Sequence, residues 1–480
     1  MLKLGLMLLW TFFGVAGGGA FTPFIPAAVY YFFAVLRPQF LWEYSLAAYV
    51  DKEFPWSLIL ALSAIVTAAV WRAGFWIAPR RFRGVLLPRF NVGHALFGAF
   101  AVWIVVTYLM AQQPAASEFV FAEYRKIFLM YFVTSVVLVS IRQAWILYFL
   151  VTCPLMYIAY EVNEIYLLQG GYNYIYARGF CGLDNNGAGL MLAMGIPLCV
   201  YAWDGVRHWV RWIFPVGGLL IAHAVMLSYS RGAMLSLMVS APLYLLRCRN
   251  KKAVLALYLV SAALVPVLAS DQIRDRFLSI GNHEEDGSAQ SRFTTWGIAW
   301  QMAKERPIFG FGIRNSALYT YEYGADEQGR VIHSTYLQIA ADSGLVGLAA
   351  YAAMMGGALY AAHRVRHRIH GYVGLTSYAL AAGHFLVGGA WRPATQTGGI
   401  DGPDARRAFT IACGVEGSLV VFLIGCTFLS LETFEPPYIL ALLAVQLWSV
   451  LRLTPTTEPA AGSDDGEVMS GSLTPRDHDG

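Results

Sequence analysis

Gln290-Ser-Arg-Phe-Thr-Thr-Trp296, Glu305-Arg-Pro-Ile-Phe-Gly-Phe-Gly312, His333-Ser-Thr-Tyr-Leu337 and Ser343-Gly-Leu-Val-Gly347 form a polar island in an otherwise apolar chain. On both sides of it, apolar runs recur near the roughly 20 residues needed to cross a hydrocarbon layer. The 480 residues are 57% hydrophobic and 13% charged, with a mean hydropathy of +0.52. An average soluble protein is about 25% charged. Backbone groups in lipid have no water to bond, so each run must be a helix. About 12 runs can be counted with that ruler. The expected fold is therefore an all-α polytopic membrane protein, with one integral-membrane domain over residues 1–453.

Basic charge orients the spans. Arg72, Arg80, Arg81, Arg83 and Arg89 make one basic loop, and Arg207 with Arg211 a second. Arg247, Arg249, Lys251 and Lys252 make a third; Arg364, Arg366 and Arg368 make a fourth. Placing all four in the cytoplasm gives a consistent alternation. The spans then fall near 92–112, 127–141, 144–162, 185–203, 212–228, 233–247, 253–269 and 336–362, with final spans near 408–430 and 437–453. Three segments reach the outer face: Glu161 to Asn186, the turn Ser228-Tyr-Ser-Arg-Gly232, and a long loop over about 271–335. The polar residues of interest all fall there, although basic charge alone oriented the loops.

The first 55 residues read as a short hairpin or one broken span, since Pro23, Pro26 and Gly17-Gly-Gly19 favour a break. Residues 372–390, with His384, are expected to form a re-entrant or surface helix. The tail 454–480, rich in Pro, Gly, Ser and Asp, is expected to be disordered. The apolar N-terminus with its single Lys3 reads as a retained span. The six cysteines suggest no disulfide framework. No CxxC or His-rich spacing is present, so neither a metal site nor a cofactor is expected.

Arginines and one histidine stand out in the outer segments. Arg231 sits between two apolar helices, where a cation pairs with something or faces a wet cavity. Its planar fork suits a phosphate or pyrophosphate, although an arginine snorkelling to headgroups fits as well. Ser291–Glu305 reads as an amphipathic surface helix ended by Pro307. Trp296 and Trp300 lie one turn apart in it, with Phe293 and Ala303 near the same membrane-facing side. Arg292 stands in its first turn. His333 precedes the span that begins near Tyr336, and an imidazole there can take a proton from a hydroxyl near neutral pH; a structural cap is the plainer alternative. Gly344 and Gly347 are spaced for close helix packing. Asp184 reads as a helix cap, Asn185 and Asn186 as hydrogen-bond partners for sugar hydroxyls, and Arg178 as another phosphate partner. Trp296, Arg314 and Tyr336 complete the candidates for glycan or acceptor contact. His223 reads as a buried structural residue. A wet pocket with several arginines and one histidine suits transfer from a lipid-linked pyrophosphate, a competent leaving group once neutralised.

The order Ser230-Arg-Gly-Ala233, Ser291-Arg292 with Trp296, Arg306-Pro307 with Gly310-Phe-Gly312, His333-Ser-Thr-Tyr-Leu337 and Gly344-Leu-Val-Gly347 resembles the O-antigen ligase/polymerase superfamily. Gly182-Leu-Asp-Asn-Asn186, Glu284-Glu-Asp-Gly-Ser-Ala289 and Ser430 bring it nearest to the O-glycosylation ligases associated with exosortase systems. The resemblance covers about 160–360 well and leaves 370–407 unmatched, which leaves the acceptor side open. It implies a GT-C-like glycosyltransferase of the bacterial inner membrane, acting at the periplasmic face. The implied donor is an undecaprenyl-diphosphate-linked glycan, and the implied chemistry is metal-independent and inverting. On matching positions, Arg231 and Arg292 would hold the pyrophosphate, and His333 would activate or position the acceptor hydroxyl. Partners would be the lipid-linked donor, a lipid A-core or protein acceptor and membrane lipids; no nucleic acid is expected.

Two rivals follow. A polymerase would join repeat units on the lipid carrier and leave a ladder there. A transporter or flippase would favour internal repeats and ionisable residues at mid-membrane, whereas the polar residues here cluster on one face.

Overall fold

A computed structural model describes residues 2–46, 54–77, 87–247, 287–325, 330–370 and 402–452, together with 49, 251–252, 254–256 and 259. The re-entrant helix expected at 372–390, most of the span expected at 253–269, the Glu284 motif and the tail lie outside these residues. The described chain is helical, and the one pairing outside helices is a single bridge between Phe180 and Leu183. Among the described residues, nine helices are long and apolar enough to cross a membrane.

The N-terminal ambiguity resolves as a hairpin. Helix α1 (Leu2–Ala20) turns at Phe21–Pro23 into α2 (Phe24–Leu36), followed by the short α3 (Pro38–Leu41) and α4 (Glu43–Leu46). Then come α5 (Trp56–Ile77), α6 (Val92–Leu109), α7 (Pro114–Val137), α8 (Ile141–Leu168), α9 (Tyr174–Arg178), α10 (Asn185–Ala193), α11 (Gly195–Gly205), α12 (Ile213–Leu227) and α13 (Arg231–Arg247). Helices α14 (Gly287–Glu305), α15 (Ser316–Tyr319), α16 (Thr335–His370), α17 (Pro403–Gly425) and α18 (Glu435–Leu451) complete the bundle. The span expected at 127–141 is the second half of α7. Glu118, Glu123, Arg125 and Lys126 hide the first half from an apolar ruler, while Pro114 at its N1 position starts it.

Burial sorts centre from rim. The span formed by α10 and α11 is 94% buried, whereas the α1 and α5 spans are 22% and 17% buried. The former is the axis of the bundle; the latter present Leu, Val and Phe side chains outward. Small residues let the central helices close up. A side-chain carbon at Gly357 of α16 would lie 2.8 Å from Leu96 of α6, and one at Gly93 of α6 would lie 2.6 Å from Val445 of α18. Buried polar groups are paired across helices, as dehydration demands. His94 Nε2 meets Gln446 Oε1 at 2.9 Å, and Gln446 Nε2 donates to the Ser135 and Leu138 carbonyls where α7 ends. His223 of α12 hydrogen-bonds Asn163 of α8 through Nδ1, in keeping with its structural reading.

Helix α14 packs on α16 through Thr295, Ile298, Ala299 and Met302, which are buried, while Phe293 and Trp300 are 54% and 46% exposed. The face turned into the protein is thus roughly a third of a turn away from Phe293 and Trp300. One expectation needs correction: Gly344 does something other than pack helices. Its φ of 72° and ψ of 174° break the helical path inside α16, a conformation essentially reserved for glycine. The carbonyls of Ala341 and Asp342, before the break, accept instead from Phe311 N at 3.0 Å and Gly312 N at 2.8 Å, and Leu345 N donates to Pro307 O at 2.7 Å. A side-chain carbon at Gly310 would sit 2.5 Å from the Asp342 carbonyl group, and one at Gly344 would sit 2.1 Å from Ile308 O. The Gly310-Phe-Gly312 motif and Gly344 are therefore two halves of one backbone-to-backbone junction. Gly347, by contrast, does serve packing: a carbon there would lie 3.3 Å from Trp103 of α6.

Candidate active site

The junction at Gly344 anchors the loop that ends at His333. Asn315 Nδ2 donates to Ser117 Oγ at 2.8 Å, Gln113 N donates to Asn315 Oδ1 at 2.6 Å, and Ser117 Oγ donates to Ile313 O at 2.7 Å. Asp342, 3% exposed, accepts from Ser316 N at 2.9 Å and from Gln338 Nε2 at 2.7 Å. These bonds hold the start of α15 against α7 and α16.

His333 itself is clamped from both sides. Thr295 Oγ1 of α14 donates to Ile332 O at 3.2 Å. Thr335 N donates to Cys426 O at 2.9 Å; Thr335 Oγ1 donates to Leu429 O at 2.6 Å and accepts from Leu431 N at 2.9 Å. Between those clamps His333 takes a φ of 54°, in the left-handed region. A β-substituted residue held there costs on the order of 1–2 kcal/mol, so the surrounding bonds over-determine its position.

Three charges face the half-buried imidazole. Burial holds its pKa below the ordinary 6.5; the Arg292 charge pushes the same way, Asp184 opposes, and Arg330 adds to the depression. His333 is thus neutral near pH 7, the form that accepts a proton. Arg330 was not singled out by the sequence reading. It stands three residues before His333, and its Nη2 donates to Ser291 Oγ, beside Arg292.

The other candidates divide. Asp184 caps α10 by accepting from Gly187 N at 2.8 Å, and Asn186 leans on it. Asn185 Nδ2 donates to Ser228 O at 2.9 Å, holding the turn that leads to Arg231. That turn includes Tyr229 at φ 53°, and α10 lies close against it: a carbon at Gly189 would be 2.4 Å from Ser228 Oγ. Arg231 opens α13 on the same side as the α17–α18 loop, because a carbon at the neighbouring Gly232 would lie 3.4 Å from Phe428. The Trp296 ring reaches Phe428 from the other flank, at 6.1 Å. The start of α13, α14 and the His333 segment therefore converge on residues 426–431. Arg178 is exposed at the end of α9, which packs on α10. Arg314 lies 3.6 Å from the buried carboxylate of Glu432, which burial pushes up in pKa and Arg314 pulls down. Tyr336 is turned inward, donating to Leu423 O at 2.5 Å. The structure thus brings Asp184, Arg292, Arg330 and His333 together, with the Arg231 turn braced by Asn185, and points Tyr336 into the bundle.

Residues 216–352 match the O-antigen ligase family. Over this stretch the chain carries a domain similar to that of the O-antigen ligases. The ligase domain runs from α12 through the first half of α16, so it contains Arg231, Arg292, Arg330 and His333 and both halves of the Gly310–Gly344 junction. Arg178, Asp184, Asn185 and Asn186 precede it and pack onto it from α9 and α10. No curated protein matches the chain closely enough to serve as a relative. The nine apolar helices and the ligase domain together describe a multi-pass membrane protein with O-antigen ligase-like function.

Proposed function

We propose that the chain transfers a glycan en bloc from an undecaprenyl-diphosphate carrier to a periplasmic hydroxyl acceptor, on lipid A-core or on protein. The observation that carries this reading is the clamped, neutral His333 facing Arg292, Arg330 and Asp184 inside the ligase domain. In the proposed step the acceptor oxygen attacks the anomeric carbon and its proton passes to His333. The bond from that carbon to the diphosphate oxygen breaks, with inversion, and undecaprenyl diphosphate leaves. Arg231 and Arg292 neutralise the charge that develops on the diphosphate, in a site where such charge is poorly screened by water. Arg178 is an outer contact for the same group. Asn186, Trp296 and Arg314 are the proposed contacts for glycan and acceptor. The step needs no strong general acid because the leaving group is already a diphosphate.

The reading is tested in a deletion strain complemented with wild type or His333→Ala, by separating lipid-linked, lipid A-linked and protein-linked glycan. Full-length glycan accumulating on the carrier, with one acceptor pool empty, supports the ligase and names the acceptor class. Accumulated single repeat units would make the chain a polymerase, and unchanged pools would remove the transferase reading.

A further inference from the structure

Just after the 426–431 segment that clamps His333, two glutamates face two arginines from unrelated elements. Arg314 Nη1 lies 3.6 Å from Glu432 Oε1. Arg37 acts on Glu435 at the start of α18, and Glu435 accepts from Tyr30 OH at 3.0 Å. Both arginines hold a left-handed backbone, with φ of 48° at Arg37 and 62° at Arg314. That conformation disfavours any residue with a Cβ and persists where the surroundings impose it. Here they do. Arg37 N donates to Phe33 O at 2.8 Å where α2 ends, and Pro38 opens α3 directly after it. Beside Arg314, Ile313 O accepts from Ser117 Oγ at 2.7 Å and from Asn315 Nδ2 at 3.0 Å, while Asp342 accepts from the backbone of Arg314 and Ser316. The chain thus fixes the origin of both guanidinium groups.

The Arg314 pair is not closed on itself. At 3.6 Å it is an ion pair rather than a hydrogen bond. The Arg314 side chain is 40% exposed against 8% for Glu432. Glu432 Oε2 and Ser430 Oγ are buried with no hydrogen-bond partner among the described residues. Such groups are rare in native proteins and call for a polar partner. Because each guanidinium already faces a carboxylate, the cluster does not select an anion. Guanidinium donors set beside carboxylate acceptors match sugar hydroxyls, which donate and accept at once. The cluster is distinct from the reacting centre, where the charges facing His333 are Arg292, Asp184 and Arg330. The two adjoin through the chain, since Leu431 N, next to Glu432, donates to Thr335 Oγ1 at 2.9 Å.

We propose that Arg37 and Arg314, backed by Glu435 and Glu432, form a subsite for an uncharged sugar of the glycan, at a position other than the one that reacts at His333. The identity of its ligand rests on the transferase reading.

The test uses the full chain in lipid nanodiscs. The probe is the oligosaccharide released by mild acid from the strain's own undecaprenyl-diphosphate pool, and binding is titrated by saturation-transfer difference NMR. Wild type and His333→Ala should bind it alike. Arg37→Gln and Arg314→Gln should each weaken binding about tenfold, and in the transfer assay should raise KM for the lipid-linked donor while kcat is kept. Arg314→Lys keeps the ion pair with Glu432, which guards against misfolding, and should still bind severalfold more weakly because an ammonium replaces the fork. Binding that is absent in wild type, undiminished in both Gln variants, or displaced by inorganic phosphate would overturn the subsite. Binding that depends on both arginines in a chain without transfer activity would uphold the subsite and remove the transferase reading instead.

Discussion

Thr295 donates to the carbonyl of Ile332 at 3.2 Å, and this bond joins the helix of Arg292 to the residue before His333. It makes the cation and the imidazole parts of one rigid piece. Arg330, bonded to Ser291, adds a second tie between the same segments. Part of the charge environment of His333 is therefore fixed by α14, and a change of charge at Arg292 should be read out in the titration of the histidine.

His333→Ala should remove transfer while the protein still folds and inserts. A positioned base contributes about 10²–10⁴-fold, so turnover should fall by at least that lower figure. Alanine at φ 54° keeps the Cβ and so bears about the same backbone cost of 1–2 kcal/mol that His333 already bears. Transfer rates and monodisperse elution of the purified variant check both halves; undiminished turnover would reduce His333 to a structural residue.

The pH profile should follow the charges around His333. Its pKa lies below the ordinary 6.5, so wild-type activity should fall on the acid side only below that value, as the imidazole protonates. Arg292→Gln removes a charge that depresses the pKa and should move the acid limb up. Asp184→Asn keeps a competent helix cap but removes the opposing charge, and should move the limb down. Rate against pH for the three proteins measures this, and limbs that stay together would separate His333 from the rate.

Arg231→Lys should be impaired by roughly tenfold or more, because a point charge replaces a bidentate fork. The assay is transfer at saturating lipid-linked donor. Wild-type turnover with lysine would leave Arg231 as an anchor at the membrane surface.

Within α16, Gly344→Ala and Gly356→Ala should differ in sign. The first places a carbon 2.1 Å from Ile308 O at a φ of 72° and should cost more than about 1–3 kcal/mol. The second meets nothing within 4 Å and should gain about 0.5–1 kcal/mol in a helix interior. Thermal unfolding in detergent distinguishes them.

Much of this was legible in the sequence because a bilayer imposes one rule on every span. Runs such as Val92–Leu109 and Asn185–Gly205 announce themselves by length and apolarity. The first half of α7 does not, since its charges make it read as a loop. Within the site, Arg292 and His333 were visible because charge is conspicuous beside lipid. Arg330 was not, because one arginine in a polar loop carries no pattern, and its meaning comes from its bond to Ser291. The protein-facing side of α14 carried no signal of its own: size and apolarity mark Phe293 and Trp300, whereas Ala299 and Ile298 are the residues buried against α16. The pairing of Gly310 with Gly344 depends on contact across more than thirty residues, which no local window sees.

The most direct test of the central claim is transfer in proteoliposomes that hold the purified chain, a defined undecaprenyl-diphosphate glycan and a candidate acceptor, with and without a metal chelator. The account predicts that full-length glycan moves from carrier to acceptor with wild type, that the chelator does not slow it, and that His333→Ala leaves the glycan on the carrier. Equal transfer by His333→Ala, or loss on chelation that a divalent ion restores, would contradict it.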